Sequence, residues 1–594
     1  MADPMAPACL SSLPVEIQTS IFAFVREKTT QAAICLTNRQ CRDVMAPIFF
    51  ENFKLQKRKI TMQTIGTLLN PKNGITPHVR NLFIVNECWE KEECWKNGVI
   101  VDPMLQLVVG AFPQDRLRAL VGDDEIVLDT TLLVSLLQHQ SRLKRLAVYH
   151  RMRPDGPVID LEDKNLMSWA ASRCEDVDSL TVFLRTDYVD TYTPAGFLVR
   201  SAPNIKDLRI KDHGNQKHTA LPLLRPLGTW GKVGYNAFGG LAAEDEDGRA
   251  KLELFQMSLE HVALDSRSLG SIRKHVKLSK LESLELLRCP EAHLLLTANA
   301  HIRTDQDQQA IEGLLKSFSG LRVLALSLYD RMVDISCIVH HGSSLRQLGI
   351  HCYSTCLSVD DLEELLQSSP HLEGLGVDFC KVRLGEAEHA ISNFKLAQMR
   401  GEAHAASELE TYLTVISAHD TLKCTRIYTP PVIELYDEWR HAPDAGHQLA
   451  DEYVEVMRTI MQHFATEILS YMSALGSKVK FWGMMPNAVD QNENESSVDA
   501  NGHQWPRYYY ARRRVSIDEM LEGEENTKVV AAPTTLDDGL MEDTVFTQVF
   551  DTTWSSACGQ ERWFLGHTRS KEPPPPKYDG EEQTSAARGR TQRT

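Results

Sequence analysis

Residues 345–377, LRQLGIHCYSTCLSVDDLEELLQSSPHLEGLGV, hold two copies of one short pattern with a helical stretch between them. Each copy reads apolar-x-x-apolar-x-apolar, the first beginning at Leu345 and the second at Leu372. The alternation that ends each copy is typical of a half-buried strand. In the intervening DLEELLQSSPH the leucines recur at three- and four-residue spacing, which is typical of an amphipathic helix. This stretch therefore predicts a strand–helix–strand unit.

The same pattern recurs on both sides of this unit. Further copies are VRNLFI at 79, LKRLAV at 143, VDSLTV at 177, IKDLRI at 205, LEHVAL at 259, LESLEL at 281 and LRVLAL at 321, with a weaker LKCTRI at 422. Strands and helices that alternate in this way predict an α/β fold with parallel strands. The repetition resembles the leucine-rich repeat family, in which each repeat supplies one strand and one helix. Cys289 and Cys380 stand where that family places Asn or Cys.

The resemblance implies an irregular solenoid over residues 79–486 that ends in a helical cap. Two of the long gaps between copies, 211–258 and 378–421, are expected to contain an unrecognised repeat or an insertion. A non-repetitive α/β domain with parallel strands is the alternative. In a solenoid the residues that alternate with the apolar ones face the concave surface. We expect a partner-binding surface there, on aromatic and basic residues of the early and middle repeats: Tyr149, Phe183, Arg209 and Lys211. The alternative is a solvent-facing sheet with no dedicated ligand.

A second motif lies before the repeats, in residues 10–53. Leu13-Pro14-x-Glu16-Ile17, then Ile21-Phe22, Leu36 and Arg42, resemble an F-box, a small helical module that docks on the Skp adaptor of cullin-type ubiquitin ligases. The resemblance implies adaptor contacts by six residues, Leu13, Pro14, Ile17, Ile21, Phe22 and Leu36. The family usually carries Asp-Leu between its first two helices, where this chain has Glu27-Lys28-Thr29-Thr30. An ordinary helical hairpin that caps the following domain is the alternative.

The composition limits the possible partners. The chain has 594 residues, a formal net charge of −16 and a sequence pI near 5.7. This balance argues against general affinity for nucleic acid or anionic membranes. There is no apolar run long enough for a spanning helix, and MADPMAPACL lacks the features of a secretion signal. Thirteen cysteines scattered through apolar stretches indicate reduced thiols, and hence a cytoplasmic or nuclear protein.

The C-terminal third begins with an amphipathic helix at 449–475 and a candidate last strand, KVKFWGMMP, at 478. Residues 487–519 are expected to form a polar linker and a capping strand, WPRYYYARRRVSIDE, in which Ser516 resembles a basophilic kinase site. The composition of residues 520–594 predicts a largely disordered tail. Within it, Pro575-Pro576-x-Tyr578 resembles the PPxY ligand of WW domains.

The remaining segments are expected to be a flexible N-terminus, 1–9, and a linker, 54–78. The sequence contains no catalytic string in a supporting context and no metal-ligand spacing, so no catalytic residue, metal or cofactor is predicted. Cys352 and Cys356, with His351 beside them, are expected to pack in a strand and its turn.

Together these features predict a substrate receptor of a Skp–cullin–F-box ubiquitin ligase. Its helices would bind the adaptor and its solenoid would bind a protein target that the sequence does not name. The irregular repeats and the aromatic C-terminal block resemble F-box proteins of filamentous fungi. The alternative is an interaction scaffold that acts outside a ligase. A reading of another class, an enzyme on an irregular α/β fold, would require a pocket with perturbed titratable groups.

Overall fold

The computed structural model describes most of the predicted repeats. The residues described are 13–25, 28–56, 59–70, 72, 74–85, 102–122, 127–151, 164–184, 192–212, 251–260, 266–287, 300–328, 332–352, 355–378, 383–386, 396, 408–428, 432–434, 451–484, 508–516 and 527–534. The predictions for the N-terminal nine residues, for most of the two long gaps and for the PPxY motif lie outside these ranges.

One long sheet organises the structure. In chain order the described strands are β1 (Asn52–Gln56), β2 (Asn81–Val85), β3 (Ala119–Gly122), β4 (Val127–Asp129), β5 (Arg145–Arg151), β6 (Ser179–Leu184), β7 (Asp207–Asp212), β8 (Gln256–Glu260), β9 (Ser283–Leu287), β10 (Val323–Leu328), β11 (Gln347–Cys352), β12 (Gly374–Val377), β13 (Arg383–Glu386), β14 (Cys424–Ile427), β15 (Val432–Glu434), β16 (Phe481–Met484), β17 (Tyr508–Ser516) and β18 (Thr527–Thr534). All of these except β13 and β15, which pair with each other, belong to the long sheet. From β1 to β16 the strands pair in parallel with their neighbours, which confirms the predicted strand–helix solenoid.

Helices precede or separate the strands. They are α1 (Val15–Ala23), α2 (Lys28–Thr37), α3 (Arg39–Phe50), α4 (Met62–Leu69), α5 (Asp102–Gly110), α6 (Thr130–His139), α7 (Lys164–Arg173), α8 (Tyr192–Ser201), α9 (Ser266–His275), α10 (Ala300–Lys316), α11 (Ile335–Val339), α12 (Val359–Ser368), α13 (Glu408–Ser417) and α14 (Asp451–Ala474). From α4 onward they pack on one face of the sheet, where their apolar residues share a core with the strands. For example, Leu314 and Leu315 of α10 join the same buried cluster as Leu324 and Leu326 of β10.

Hydrogen bonds join the repeats at the residue just before each strand. The backbone N–H of that residue donates to the carbonyl of the equivalent residue in the preceding repeat, as Arg346 does to Arg322 at 2.8 Å. We name this row the pre-strand ladder. Its members are Glu51, Arg80, Arg118, Lys144, Asp178, Lys206, Phe255, Glu282, Arg322, Arg346, Glu373, Lys423 and Lys480, and it ends at Arg512, which lies within the antiparallel strand β17.

The solenoid begins earlier than the sequence indicated. The predicted linker 54–78 is wrong, because it contains the end of β1 and all of α4. Backbone N–H groups of Arg80 and Asn81 both donate to the carbonyl of Glu51, so β1 is already a repeat strand. The copy at 117, LRALVG, was also missed; its Leu117 and Leu120 are buried in the core and β3 covers its end.

The copy of the pattern predicted at Leu259 is misplaced by five residues. The strand is β8, whose inward residues are Met257 and Leu259, preceded by buried Leu254. The repeat pattern therefore starts five residues upstream, as LFQMSL. Ser258 and Glu260 alternate with the core residues of this strand.

An antiparallel hairpin closes the C-terminal end. Strand β17 lies in the segment 487–519 where the sequence predicts a capping strand, and it pairs antiparallel with β16. Strand β18 pairs antiparallel with β17. Within residues 520–594, which the sequence predicts to be largely disordered, Thr527–Thr534 form strand β18. Helix α14 covers β18, and Gly476, two residues beyond its last residue Ala474, has a φ of +80°, which suits glycine after a helix C-terminus.

Candidate protein-binding surfaces

Helix α1 has one face buried and another exposed. Gln18, Phe22 and Val25 follow a helical i, i+4, i+7 row that faces α3, where Phe22 packs with Cys41 and Met45. The residues next to them around the helix, Ile17, Ile21 and Phe24, form a second row at the same spacing and remain exposed.

The exposed row is strongly apolar. Ile17 is 48% exposed, Ile21 41% and Phe24 84%, and Leu36 on α2 is 86% exposed. With Val15, these account for five of the ten large hydrophobic residues that are exposed in the described part of the chain. Because they fall within only 22 residues, from 15 to 36, the three-helix unit has an apolar exposure that a solenoid cap would not need.

Polar contacts fix the ends of these helices. The buried amide of Gln18 donates from Nε2 to the Leu13 carbonyl at 2.6 Å, and Gln31 donates to the Val25 carbonyl. Asn38 caps α3 by accepting from the Cys41 N–H at 2.8 Å. Both turns of the three-helix unit are thus held by side chains, which fixes the direction in which Ile17 and Ile21 project.

Lys28 begins α2 at the place where the F-box pattern departs from this sequence. Its Nζ donates to the Phe49 carbonyl at 3.0 Å and lies 5.2 Å from the centre of the Phe49 ring. Burial lowers the pKa of Lys28, and the nearby Glu51 carboxylate opposes that shift. Through these contacts Lys28 links the start of α2 to the end of α3 within the same chain.

The structure places the six predicted adaptor-contact residues in different environments. Pro14, Ile17, Ile21 and Leu36 are exposed, and Leu13 is half-buried. Phe22 is only 2% exposed, so its assignment as a surface contact is corrected: it belongs to the core of the three helices. The residue that the sequence analysis missed is Phe24, which the spacing from Ile17 and Ile21 could have indicated.

The predicted concave surface is also corrected, because its aromatic members are not free. Tyr149 and Phe183 are 1% and 4% exposed and pack with Phe83, Val121 and Ala147 in a second buried cluster. These residues do alternate with the core residues, as predicted. Burial on this face as well as on the helix face leaves the sheet with little accessible surface in these repeats.

Arg209 and Lys211 bind neighbouring carboxylates. Lys211 Nζ lies 2.6 Å from Glu260 Oε2, and Arg209 Nε lies 3.4 Å from Asp207 Oδ1. Burial acts to lower the pKa of Arg209, but Asp207 and Glu285 outweigh it and the pKa is raised. Burial raises the pKa of Glu285 despite Arg209. These two basic residues therefore stabilise the chain internally, which argues against their use as a free partner-binding surface.

In the late repeats Tyr428 fills the concave side. It is fully buried, lies against Gly349 and Gly376, and makes an edge contact with His351 at 5.4 Å between ring centres. His351 Nδ1 pairs with Asp378 Oδ2 at 2.8 Å, and the same oxygen accepts from the Cys352 N–H at 2.6 Å. The late part of this face is thus a packed polar cluster.

The described residues contain no group of three or more His, Cys, Asp or Glu side chains placed to hold a metal ion. Cys352 is buried in β11 and Cys356 is exposed just beyond it, where burial is the main cause that raises the pKa of the Cys356 thiol. A raised pKa disfavours the reactive thiolate. None of the helices in this part of the chain is both long and apolar enough to cross a membrane. Ser516 ends β17 opposite Thr527, and its phosphorylation stays a prediction.

Comparison with known proteins finds weak structural similarity without a sequence-family match. No protein-family model matches the chain, and no curated protein matches it. Weak similarity is found to a chain in the crystal structure of the Rad7 and Elc1 complex in yeast, at 11% identity and a TM-score of 0.33, covering 71% of this chain and 92% of that chain. The leucine-rich repeat-containing protein LegL7 from Legionella pneumophila gives 10% identity and a TM-score of 0.26, covering 69% and 97% respectively.

Proposed function

We propose that this chain is a non-catalytic receptor subunit of a Skp–cullin–F-box ubiquitin ligase. In this proposal the three-helix unit docks on a Skp-family adaptor, and the solenoid carries a protein target. The observation that supports it is the exposed apolar row Ile17, Ile21 and Phe24, with Leu36 exposed on the next helix.

Burial of this row would supply the main binding energy. Covering apolar side chains is worth about 25 cal/mol per Å² removed from water, and a few such side chains usually dominate an interface. The row is presented by a helix whose ends are fixed by Gln18 and Gln31, so little conformational entropy remains to be lost on docking. The chemistry of ubiquitin transfer would belong to other subunits, and this chain would supply proximity.

Co-purification with the adaptor tests the proposal. The variant Ile17→Ser/Ile21→Ser removes two exposed apolar side chains, and we expect it to lose the adaptor that wild type recovers. A matched control is Met62→Ser/Leu69→Ser on α4, since Met62 is 68% exposed and Leu69 is 49% exposed. Equal adaptor recovery by wild type and by the Ile17/Ile21 variant would contradict the proposal.

The same experiment distinguishes a ligase subunit from a scaffold. Recovery of a cullin together with the adaptor supports the ligase. Recovery of the adaptor alone supports an interaction scaffold outside the ligase, the second candidate. One observation favours this second candidate. Lys28 lies where the F-box family usually has Asp-Leu, and its Nζ donates to the Phe49 carbonyl within the same chain.

A further inference from the structure

The pre-strand ladder is basic although the chain is acidic. It contains nine Lys or Arg residues against four Asp or Glu residues, whereas the whole chain carries a net charge of −16. Most members of the ladder are exposed, including Arg118, Lys144 and Lys206. This contrasts with the buried residues of the concave strands, such as Tyr149 and Glu285. The row of residues at the N-terminal ends of the strands is therefore more accessible than the concave face of the sheet.

Ion pairs neutralise most of the charge on the ladder between Glu282 and Lys423. Arg322 pairs with Glu282 at 3.2 Å between Nη1 and Oε2, and Glu373 accepts from both Arg346 at 3.0 Å and Lys423 at 2.9 Å. Consecutive members of opposite charge lie side by side there. From Glu282 to Lys423 the ladder therefore has one unbalanced positive charge, which is little to offer a partner.

The earlier part of the ladder has no such pairing. Among the described residues, no carboxylate forms an ion pair with the ladder residues Arg80, Arg118 and Lys144, or with Arg116, which precedes Arg118 by two residues. We name these four residues the basic rim. Within it, burial lowers the pKa of Arg80 and the guanidinium groups of Arg116 and Arg118 lower it further, so these cations lie close enough to repel one another. Burial and the same kind of repulsion, from Arg116 and Arg80, lower the pKa of His78 beside them.

The geometry of the basic rim sets the size of its ligand. Arg80, Arg118 and Lys144 are consecutive in the ladder, so each is one strand spacing, about 4.8 Å, from the next. The row thus spans about 10 Å, the length of three extended residues of a peptide. Glu51 precedes the row and Asp178 follows it, which limits the positive charge to this short segment.

We propose that the basic rim binds a short acidic segment of a partner protein in an extended conformation. A protein segment fits better than nucleic acid for two reasons. The run of positive charge ends at Asp178 after about 10 Å, and a net charge of −16 repels a long polyanion. The surface is separate from the apolar row of α1, and its binding does not depend on the adaptor proposal.

Fluorescence anisotropy with the purified full-length chain tests this surface. The probe is a fluorescein-labelled polyglutamate peptide of about ten residues, compared with an oligothymidylate of equal length. We expect Arg118→Gln/Lys144→Gln to weaken peptide binding about five- to tenfold and binding to fall as salt rises. The matched control Arg322→Gln/Arg346→Gln changes the net charge by the same amount, at paired positions of the same ladder, and should bind within about twofold of wild type.

Three results would overturn the proposal. They are no peptide binding by wild type at low salt, equal losses in the test and control variants, and tighter binding of the oligothymidylate than of the peptide. Because all four substituted side chains lie on the surface, thermal unfolding of both variants should match wild type, which excludes misfolding as the cause of a loss.

Discussion

Tyr428 lies directly over Gly376, so that a Cβ atom on residue 376 would sit 2.6 Å from Cζ of the tyrosine ring. At Gly349 a Cβ atom would meet the same tyrosine only at its hydroxyl oxygen, 2.8 Å away. Two neighbouring strands thus lack side chains where a later residue folds across them. Tyr428 is fully buried, so its ring has little room to move aside.

We therefore expect Gly376→Ala to destabilise the fold by about 1–3 kcal/mol, as overpacking of a tight core does. Gly349→Ala should cost less, because only the hydroxyl is in the way. Adding Tyr428→Phe to each variant separates the two sites: it should offset most of the cost at 349 and little of it at 376. Chemical denaturation measures both, and equal offsets at the two glycines would contradict the placement of the ring.

Helix α14 protects the open edge of β18 with a polar row. Gln462 donates to the Ala531 carbonyl at 3.1 Å, Ser470 donates to the Val529 carbonyl at 3.1 Å, and Thr466 accepts from the Ala531 N–H at 3.1 Å. These three side chains are four residues apart, so they face the same strand. An edge strand without such partners would be exposed to pairing with other chains.

Thr466→Val should leave the Ala531 N–H buried without an acceptor, at a cost of about 1–3 kcal/mol. Hydrogen exchange in residues 527–534 should become faster, while Thr466→Ser, which keeps the hydroxyl, should exchange like wild type. Unchanged protection of this segment in the valine variant would show that α14 does not hold the strand.

His341 makes the stability depend on pH. Its Nε2 donates to the Leu315 carbonyl at 3.0 Å, and burial lowers its pKa from 6.5 to about 4. A histidine whose pKa is lower in the folded than in the unfolded state contributes stability above pH 6.5 that is lost as the pH falls towards 4.

Denaturation curves across this pH range should therefore show a smaller loss for His341→Gln than for wild type. His340→Gln is the matched control, because His340 is the exposed neighbour in the chain, and it should keep the wild-type slope. If the two variants have the same slope, His341 is not the group responsible.

The PPxY motif yields a prediction that depends on the sequence alone. A WW domain should bind a peptide of residues 570–582, and Tyr578→Ala should abolish the binding, because the tyrosine ring fills the groove that such domains offer. Titration calorimetry measures it. Comparable affinity for the alanine peptide would exclude the motif as a WW ligand.

Repetition made the fold predictable, and ambiguity within it caused the errors. Leucines such as Leu348 and Leu375 recur at the same positions because every strand must bury one face against helices, so these positions identify strands wherever the pattern is complete. Leu259 fits two overlapping copies of the pattern, which explains why the copy that ends in β8 was predicted five residues too far along the chain. The alternation does not show whether the concave face of the sheet is exposed to solvent. Tyr149 and Phe183 were therefore wrongly predicted to be accessible.

The N-terminal site was predictable in part for a similar reason. Ile17 and Ile21 stand at helical spacing in a sequence that resembles a known motif, but spacing alone does not say which of two adjacent apolar rows meets α3. The structure decides it through Phe22 and Gln18, which turn inward and leave Phe24 outside.

Titration of the purified chain with a purified Skp-family adaptor tests the central proposal most directly. We expect measurable binding by wild type and by Met62→Ser/Leu69→Ser, and at least a tenfold weaker affinity for Ile17→Ser/Ile21→Ser, because two exposed apolar contacts of about 1 kcal/mol or more each would be lost. Equal affinity of all three proteins, or no binding by wild type, would contradict the assignment of α1 as the adaptor-docking helix.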